Sequence, residues 1–459
     1  MRGFAMMQGM KGLALCVLIA CAVMAGHIFQ KGLGIQPDSP RYIASGLNLY
    51  QHGVLTGGWA YDPAQAPAPG LPQGGVFTSL ELALAAALDD RTRSALECAV
   101  RESIHAPCDR GMTSLKAMYS VEIAVFLICL VSVARLLFGD WLRPALALAF
   151  ALSFKEMRAY SHDVLSEPAF MMMSGLFLLA VMRAVRAGGR ALPWLLAGLA
   201  LGGMALVKPA WSALPVGSLL VLAGMLVLHR GRALVWGQCW GAFALGWVLA
   251  MAPLLLRNYL VMDFVGLSDG GYMLAPLSDR LGYNAMGWRE LAAGVLFYLP
   301  DFGDNAAIAL FGQDIAEKLA WGDHSYYIYG RDVLHRMALA KGSVAEAKAF
   351  LWSEHFFNTP VKSLLVSVLL AWRGLFVGSL LGLAALLLLV PVLRGLSHPQ
   401  RTGLLALLLP LGMMVGAQAL ISVSIPRYNV GLIVPFSLVL AQAVYWLGQR
   451  GYRRLGRRG

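Results

Sequence analysis

Ten stretches of this sequence are almost wholly apolar, and each is near the length a helix needs to cross a bilayer. They are residues 12–30, 118–138, 142–158, 167–186, 191–209, 212–229, 233–256, 374–394, 403–424 and 429–447. A hydrocarbon core of about 30 Å takes roughly 20 helical residues, and helices satisfy their own backbone polar groups there. Composition agrees: the chain is 58% hydrophobic and 14% charged, with a mean hydropathy of +0.64. The expected fold class is an all-α polytopic membrane protein with about 10 transmembrane helices and amphipathic helices in two large outer loops. The third run is the weakest, because only 145–154 is cleanly apolar before Lys155 and Glu156. The small residues Ala20-Cys21-Ala22 and Ala25-Gly26 admit a cleaved signal peptide. The length of that run, and the spans that follow it, favour a retained first helix.

Charge orients these spans. With the N-terminus inside, the short cytoplasmic connections carry Arg135 and Arg143, then Arg183, Arg186 and Arg190, then Arg230 and Arg232, then Arg394 and Arg401. Arg450, Arg453, Arg454, Arg457 and Arg458 follow in the tail, in keeping with the positive-inside rule. The acids lie opposite: 8 fall in loop 31–116 and 12 in loop 257–361, which is 20 of the chain's 25. Asp163 and Glu167 join that face, and Asp140 does not. A net charge of +12 raises the question of nucleic acid, but its basic residues sit in short clusters between apolar runs, which points to membrane orientation. The expected divisions are 1–256, a transmembrane module with the first outer loop; 257–361, an outer region of surface helices; and 362–459, the last spans and a basic tail. Surface helices are expected near 40–52, 79–104 and 341–355, with short membrane-surface or re-entrant helices at 292–299 and 306–311.

Three groups of outer-face residues stand out. The first is Asp38, in Gly34-Ile35-Gln36-Pro37-Asp38-Ser39-Pro40-Arg41-Tyr42, just beyond the first span. Ser39-Pro40 reads as a helix cap with proline in the first turn. Asp38 is then either a second cap or a reactive carboxylate held where bilayer meets water. The second group is Ser161-His162-Asp163-Val164-Leu165-Ser166-Glu167-Pro168, whose two acids are four apart and suited to one helical face. Acids at the mouth of a helix bundle are costly and commonly functional, although Glu167 also suits the polar end of the fourth span. The third is cationic: Lys208 before Pro209, Arg257 before Asn258-Tyr259, and Arg427 before Tyr428-Asn429, each at the outer end of a span. Phosphate binding explains cations placed against the orientation trend; snorkelling to headgroups explains any one of them singly. Tyr42, His162 and Tyr428 are further candidates by position. Cys98 and Cys108 share a polar outer loop where a disulfide is chemically open, while Cys16, Cys21, Cys129 and Cys239 lie in apolar runs and read as packing residues. There is no GxxxxGK[ST], dinucleotide fingerprint, HExxH, Cys/His cluster or GxSxG. Neither a metal nor a cofactor is expected. Chemistry here has to draw on an already activated substrate.

With these residues in order, the chain resembles the C superfamily of glycosyltransferases (GT-C), specifically the glycosyltransferase family 39-like bacterial relatives of the protein O-mannosyltransferases and the lipid A aminoarabinose transferases. The resemblance is carried by Pro37-Asp38-Ser39, Tyr42, Ala44, Leu47 and Gly53, and by Leu165-Ser166-Glu167-Pro168. It continues in Gly198, Gly202, Lys208-Pro209, Pro253, Arg257-Asn258-Tyr259 and Gly270-Gly271, and ends in Arg427-Tyr428 and Pro435. It implies an inverting transfer of a sugar from a polyprenyl-phosphate donor to a lipid, glycan or protein acceptor of the envelope, at the outer face of a bacterial inner membrane. Residue by residue, it implies Asp38 as general base and Asp163 or Glu167 as a second acid. Arg257, Arg427 and Lys208 would be ligands of the donor phosphate. The chain departs from the pattern in having no Asp-x-Asp or Glu-x-Asp pair in the first outer loop, and a short basic tail where relatives carry a soluble domain. Two rival readings are a lipid-linked sugar transporter or flippase and a polysaccharide polymerase or ligase. The first is disfavoured by acids gathered in loops and not at mid-membrane; the second would lean on the arginines more than on Asp38.

Overall fold

The structure, a computed structural model, describes residues 2–58, 60–72, 75–101, 108, 111–219, 233–267 and 274–455. The later part of the expected span 212–229, Gly270-Gly271, Arg230, Arg232, Arg457 and Arg458 lie outside the described residues. Among those described the chain is helical and carries no β-strand, only an isolated parallel bridge between Gly34 and Asp163. Among the described residues six helices are long and apolar enough to cross a membrane: Gly9–Lys31, Thr113–Phe138, Glu167–Arg186, Leu234–Met262, His398–Ile421 and Pro426–Arg450. Val76–Leu88, Leu142–Ser153, Ala191–Val207 and Leu380–Gly395 are shorter apolar helices. This is an all-α membrane protein.

The shortened spans have local causes. The expected 142–158 span stops at Ser153, Phe154 turns extended (ψ 128°), and Lys155–Tyr160 forms a separate short helix, since Lys155 and Glu156 end the apolar run. Ala191–Val207 stops where Lys208 adopts φ −132°, ψ 99°; the pyrrolidine of Pro209 disfavours helical backbone at the residue before it. The expected 374–394 span begins only at Leu380, after Gly378 and Ser379 take positive φ.

The chain divides into two compact units. One comprises Met1–Leu267, Ala385–Pro410 and Ile433–Gly459, the other Ser268–Ala384 and Leu411–Leu432. In the first unit the helices are α1 (Arg2–Lys31), α2 (Ser39–His52), α3 (Val76–Leu88), α4 (Asp90–Arg101), α5 (Thr113–Phe138), α6 (Leu142–Ser153), α7 (Lys155–Tyr160), α8 (Glu167–Arg186), α9 (Ala191–Val207) and α10 (Ala233–Met262). α8 packs on α5 and α9, and α9 packs on α10. The last pair meets through glycines: a Cβ on Gly198 would strike the Phe243 carbonyl, one on Gly202 the Ala250 methyl, and one on Gly246 the Leu195 carbonyl. Small residues four apart let helix backbones approach closely in a bilayer, where no hydrophobic effect drives helices together. Leu18, Val23, Leu256 and Leu260 stay exposed, as lipid-facing side chains do.

The expected surface helix 79–104 is two helices, α3 and α4. Asp89 between them is extended (φ −150°), and its carboxylate accepts from the Arg91 N–H (3.0 Å) and the Thr92 hydroxyl (2.7 Å), capping α4. α4 carries Cys98, which is disulfide-bonded to Cys108.

The second unit is built of short helices, among them Leu274–Gly282, Trp288–Phe297, Gly303–Phe311, Val344–Trp352 and Pro360–Gly374. Its centre is Arg280, fully buried. The guanidinium donates to the Ala419 carbonyl (2.6 Å), Asn284 Oδ1 (2.8 Å), the Ser363 carbonyl (2.8 Å) and Ser367 Oγ (2.7 Å). One arginine thereby ties three segments distant in sequence.

Candidate functional site

The candidate site is built where several chain ends of the first unit converge. The segment leaving α1 runs alongside the turn that precedes α8. The Gly34 N–H donates to the His162 carbonyl and the Val164 N–H to the Gly34 carbonyl, both at 2.8 Å. Gly34 is required there, because a Cβ would collide with Asp163 Oδ1. Two residues on, Gln36 Nε2 donates to Asp163 Oδ2 at 3.0 Å. The buried Asp163 carboxylate is therefore spent on holding the stretch that leads to Asp38.

Asp38 occupies the residue flanking the start of α2 (φ −84°, ψ −20°) and makes no side-chain capping bond. The helix start is closed instead by Ser39, whose hydroxyl accepts the Gln36 N–H at 2.8 Å. The expected cap is thus shifted: Ser39 is already the first helical residue, and its oxygen serves the turn before the helix. Tyr42 follows in the first turn of α2, half-buried. At the far end Gly53 takes φ 68° and returns its N–H to Leu49, a left-handed stop suited to glycine.

Glu167 opens α8 and is fully buried; Lys208, at the end of α9, meets its Oε1 at 2.9 Å. The ammonium also lies 4.7 Å from the centre of the Phe170 ring, which packs against the buried Trp211. The extended backbone before Pro209 delivers Lys208 to this corner. His162 stands beside the same turn, its ring edge-on to His27 at 5.2 Å and its Nδ1 on the Arg158 carbonyl.

Arg257, in the last turns of α10, braces the loop between α2 and α3. Its Nη2 donates to the Leu55 carbonyl and its Nη1 to the Gly70 carbonyl, each at 3.1 Å, with Asn258 Oδ1 at 3.0 Å. Arg257 makes no ion pair among the described residues. Asn258 is buried and donates to the Gly266 carbonyl (2.7 Å), so the Arg-Asn pair fixes both sides of the helix end. Arg427 and Tyr428 belong to the second unit, in the tight turn Pro426–Leu432. There the buried Asn429 donates to the Gly374 carbonyl (3.2 Å) and to Ser424 Oγ (3.1 Å).

Sequence reasoning missed a second pair of acids. Glu81 on α3 and Glu122 on α5 are both buried, and both Glu81 carboxylate oxygens and Glu122 Oε2 lack a hydrogen-bond partner among the described residues. Burial raises the Glu81 carboxyl above its usual range. Tyr119 lies within electrostatic reach of Glu81, Glu122, Glu167 and Asp163. The signal was present for Glu122, a solitary acid in an otherwise apolar run. Among the described residues no three His, Cys, Asp or Glu side chains group as metal ligands.

No protein-family model and no curated protein matches this sequence. Among solved structures it is similar to ArnT from Cupriavidus metallidurans bound to undecaprenyl phosphate, at 14% identity and a TM-score of 0.38, over 95% of this chain and 78% of that one. The same protein in its apo state is similar at 13% identity and a TM-score of 0.35, over 94% and 77% of the two chains.

Proposed function

We propose that this protein is an inverting membrane glycosyltransferase that moves a sugar from a polyprenyl-phosphate donor to a hydroxyl of an envelope lipid, glycan or protein acceptor. The reading places its large loops on the periplasmic side of a bacterial inner membrane, with both termini cytoplasmic. The observation that carries it is the treatment of Asp38. The segment bearing this residue is clamped through Gly34 and Gln36 to the Asp163 turn, at the start of α2. A carboxylate on a segment fixed beside a second acid-bearing turn suits a general base.

In the proposed step Asp38 takes the proton of the acceptor hydroxyl as that oxygen attacks the anomeric carbon. The bond from that carbon to the phosphate oxygen breaks, its electron pair leaves with polyprenyl phosphate, and the anomeric configuration inverts. Phosphate is a good leaving group, so positioning, deprotonation and charge neutralisation suffice. Asp163 positions the Asp38 segment through Gln36. Glu167 and Lys208 act as a neutralised pair at the same corner, with Lys208 the proposed cation nearest the acids. Arg257 is the proposed donor-phosphate ligand, its guanidinium already aligned by two loop carbonyls. For Arg427 and Tyr428 the same role rests on the sequence resemblance alone. The test is incubation of purified protein with a polyprenyl-phosphate hexose or pentose and a mixed envelope-lipid acceptor. Release of polyprenyl phosphate together with a glycosylated product is expected; unchanged donor across hexoses and pentoses, in enzyme that remains folded, defeats the reading.

A further inference from the structure

The second unit contains an arginine whose surroundings differ from every cation described so far. Arg373 closes the helix Pro360–Gly374. Its guanidinium carbon lies 4.3 Å from the centre of the Trp321 ring and 4.7 Å from that of Tyr298. Such contacts attract the cation through the ring faces and consume no N–H donor. Of the five donors, Nη1 reaches the Tyr283 hydroxyl at 3.3 Å. No carboxylate lies within ion-pair distance of Arg373 among the described residues.

The aromatic frame is itself fixed. Tyr298 is buried and donates its hydroxyl to the Leu319 carbonyl at 3.3 Å, and Tyr283 is fully buried. Burial raises the hydroxyl pKa of both tyrosines above its usual value, so they remain neutral donors beside the guanidinium. Trp321 is 48% exposed and packs edge-on against Tyr327 at 4.6 Å, which leaves the group open to solvent on that side. Among the described residues Nε and Nη2 of Arg373 make no hydrogen bond, and neither is a buried unsatisfied atom, so both keep some exposure at the protein surface. The neighbouring cations are committed: Arg280 to four acceptors, Lys318 to Glu290 at 3.5 Å, and Arg289 to the Phe311 carbonyl.

We propose that Arg373, framed by Trp321, Tyr298 and Tyr283, is a binding site for a phosphate ester. Two adjacent open nitrogens of a guanidinium match two phosphate oxygens in the bidentate geometry that arginine favours. The aromatic contacts pre-pay the loss of side-chain freedom, which makes a partly exposed site effective. The phosphate can be carried by a lipid headgroup or by a soluble ester, and the site is independent of the transfer reaction proposed above.

The test uses full-length protein in an uncharged maltoside detergent, titrated calorimetrically with glycerol 3-phosphate, with dodecyl phosphate, and with acetate. A saturable phosphate site that persists in Arg257→Gln is expected, at least tenfold weaker in Arg373→Gln. Arg373→Lys, which keeps the charge and loses the fork, is expected to fall between that variant and the unmodified protein. Tighter binding of dodecyl phosphate assigns the site to lipid; tighter binding of glycerol 3-phosphate assigns it to a soluble ester. Absence of phosphate binding in the unmodified protein overturns the proposal, as does equal affinity in Arg373→Lys or acetate binding as strong as phosphate. The unmodified protein and the lysine variant decide the matter even where Arg373→Gln does not fold.

Discussion

In the first unit the fully buried Glu167 is matched by Lys208 at 2.9 Å, whereas in the second the fully buried Arg280 is held by four neutral acceptors. The two arrangements carry charge indoors for different ends. An ion pair is mutually dependent, so each member is costly once its partner is gone. A guanidinium saturated by carbonyls, a hydroxyl and an amide is a structural rivet. Its loss strands acceptors on several segments at once, since each buried acceptor left unmade costs about 1–3 kcal/mol. The first arrangement is what a site needs when its charges must respond to a substrate; the second serves a scaffold that must not move.

The contrast is broken most severely at Arg280. Arg280→Ala removes a donor from four acceptors and opens a cavity, and is expected to cost upwards of about 4 kcal/mol. Thermal unfolding in detergent should show a large loss in melting temperature; a near-normal melt would mean the four bonds add nothing. Lys208→Met is the next largest, about 3 kcal/mol, because it takes the cation away from the buried Glu167 carboxylate. The double variant with Glu167→Gln should recover much of that loss, and strict additivity of the two changes would show that the pair is not coupled.

A third expected effect shows as a dependence of stability on pH. Burial pushes the Asp279 carboxyl up to about 7, with Asp332 adding to the effect and Arg331 opposing it; Oδ1 is buried without a partner. The folded state then holds a proton that the unfolded chain releases near pH 4. Stability is therefore full below about pH 4, falls as pH rises towards 7, and levels off above. Asp279→Asn should flatten that slope in melts taken from pH 4.5 to 7.5, while an unchanged slope assigns it to another group.

What the sequence made legible follows from the length rule of the bilayer. The apolar runs at 12–30, 118–138, 167–186 and 403–424 became long helices, and Lys208-Pro209 stopped a helix for the reason proline always gives. What stayed hidden depended on pairings across the chain. Lys208 and Glu167 are 41 residues apart, and Gln36 and Asp163 are 127 apart; no periodicity connects such positions. Ser39 was legible as a capping residue, but its register was not, because a one-residue shift leaves the pattern of apolar residues in α2 intact. Nothing near Arg280 or Arg373 in the sequence marks them out, since the carbonyls and rings that define them come from residues 283, 298, 321, 363, 367 and 419. Glu122 carried a local signal that went unread, as an acid within an apolar run.

The central claim is tested most directly by comparing unmodified protein with Asp38→Asn in single-turnover release of polyprenyl phosphate at saturating donor. The substitution keeps size and removes the base. General-base assistance is worth about 10²–10⁴-fold, so the rate is expected to fall by that factor while donor binding and thermal stability stay close to normal. A rate within a fewfold of the unmodified protein, with donor still bound, would contradict the assignment of Asp38 as base and with it the mechanism proposed for this chain.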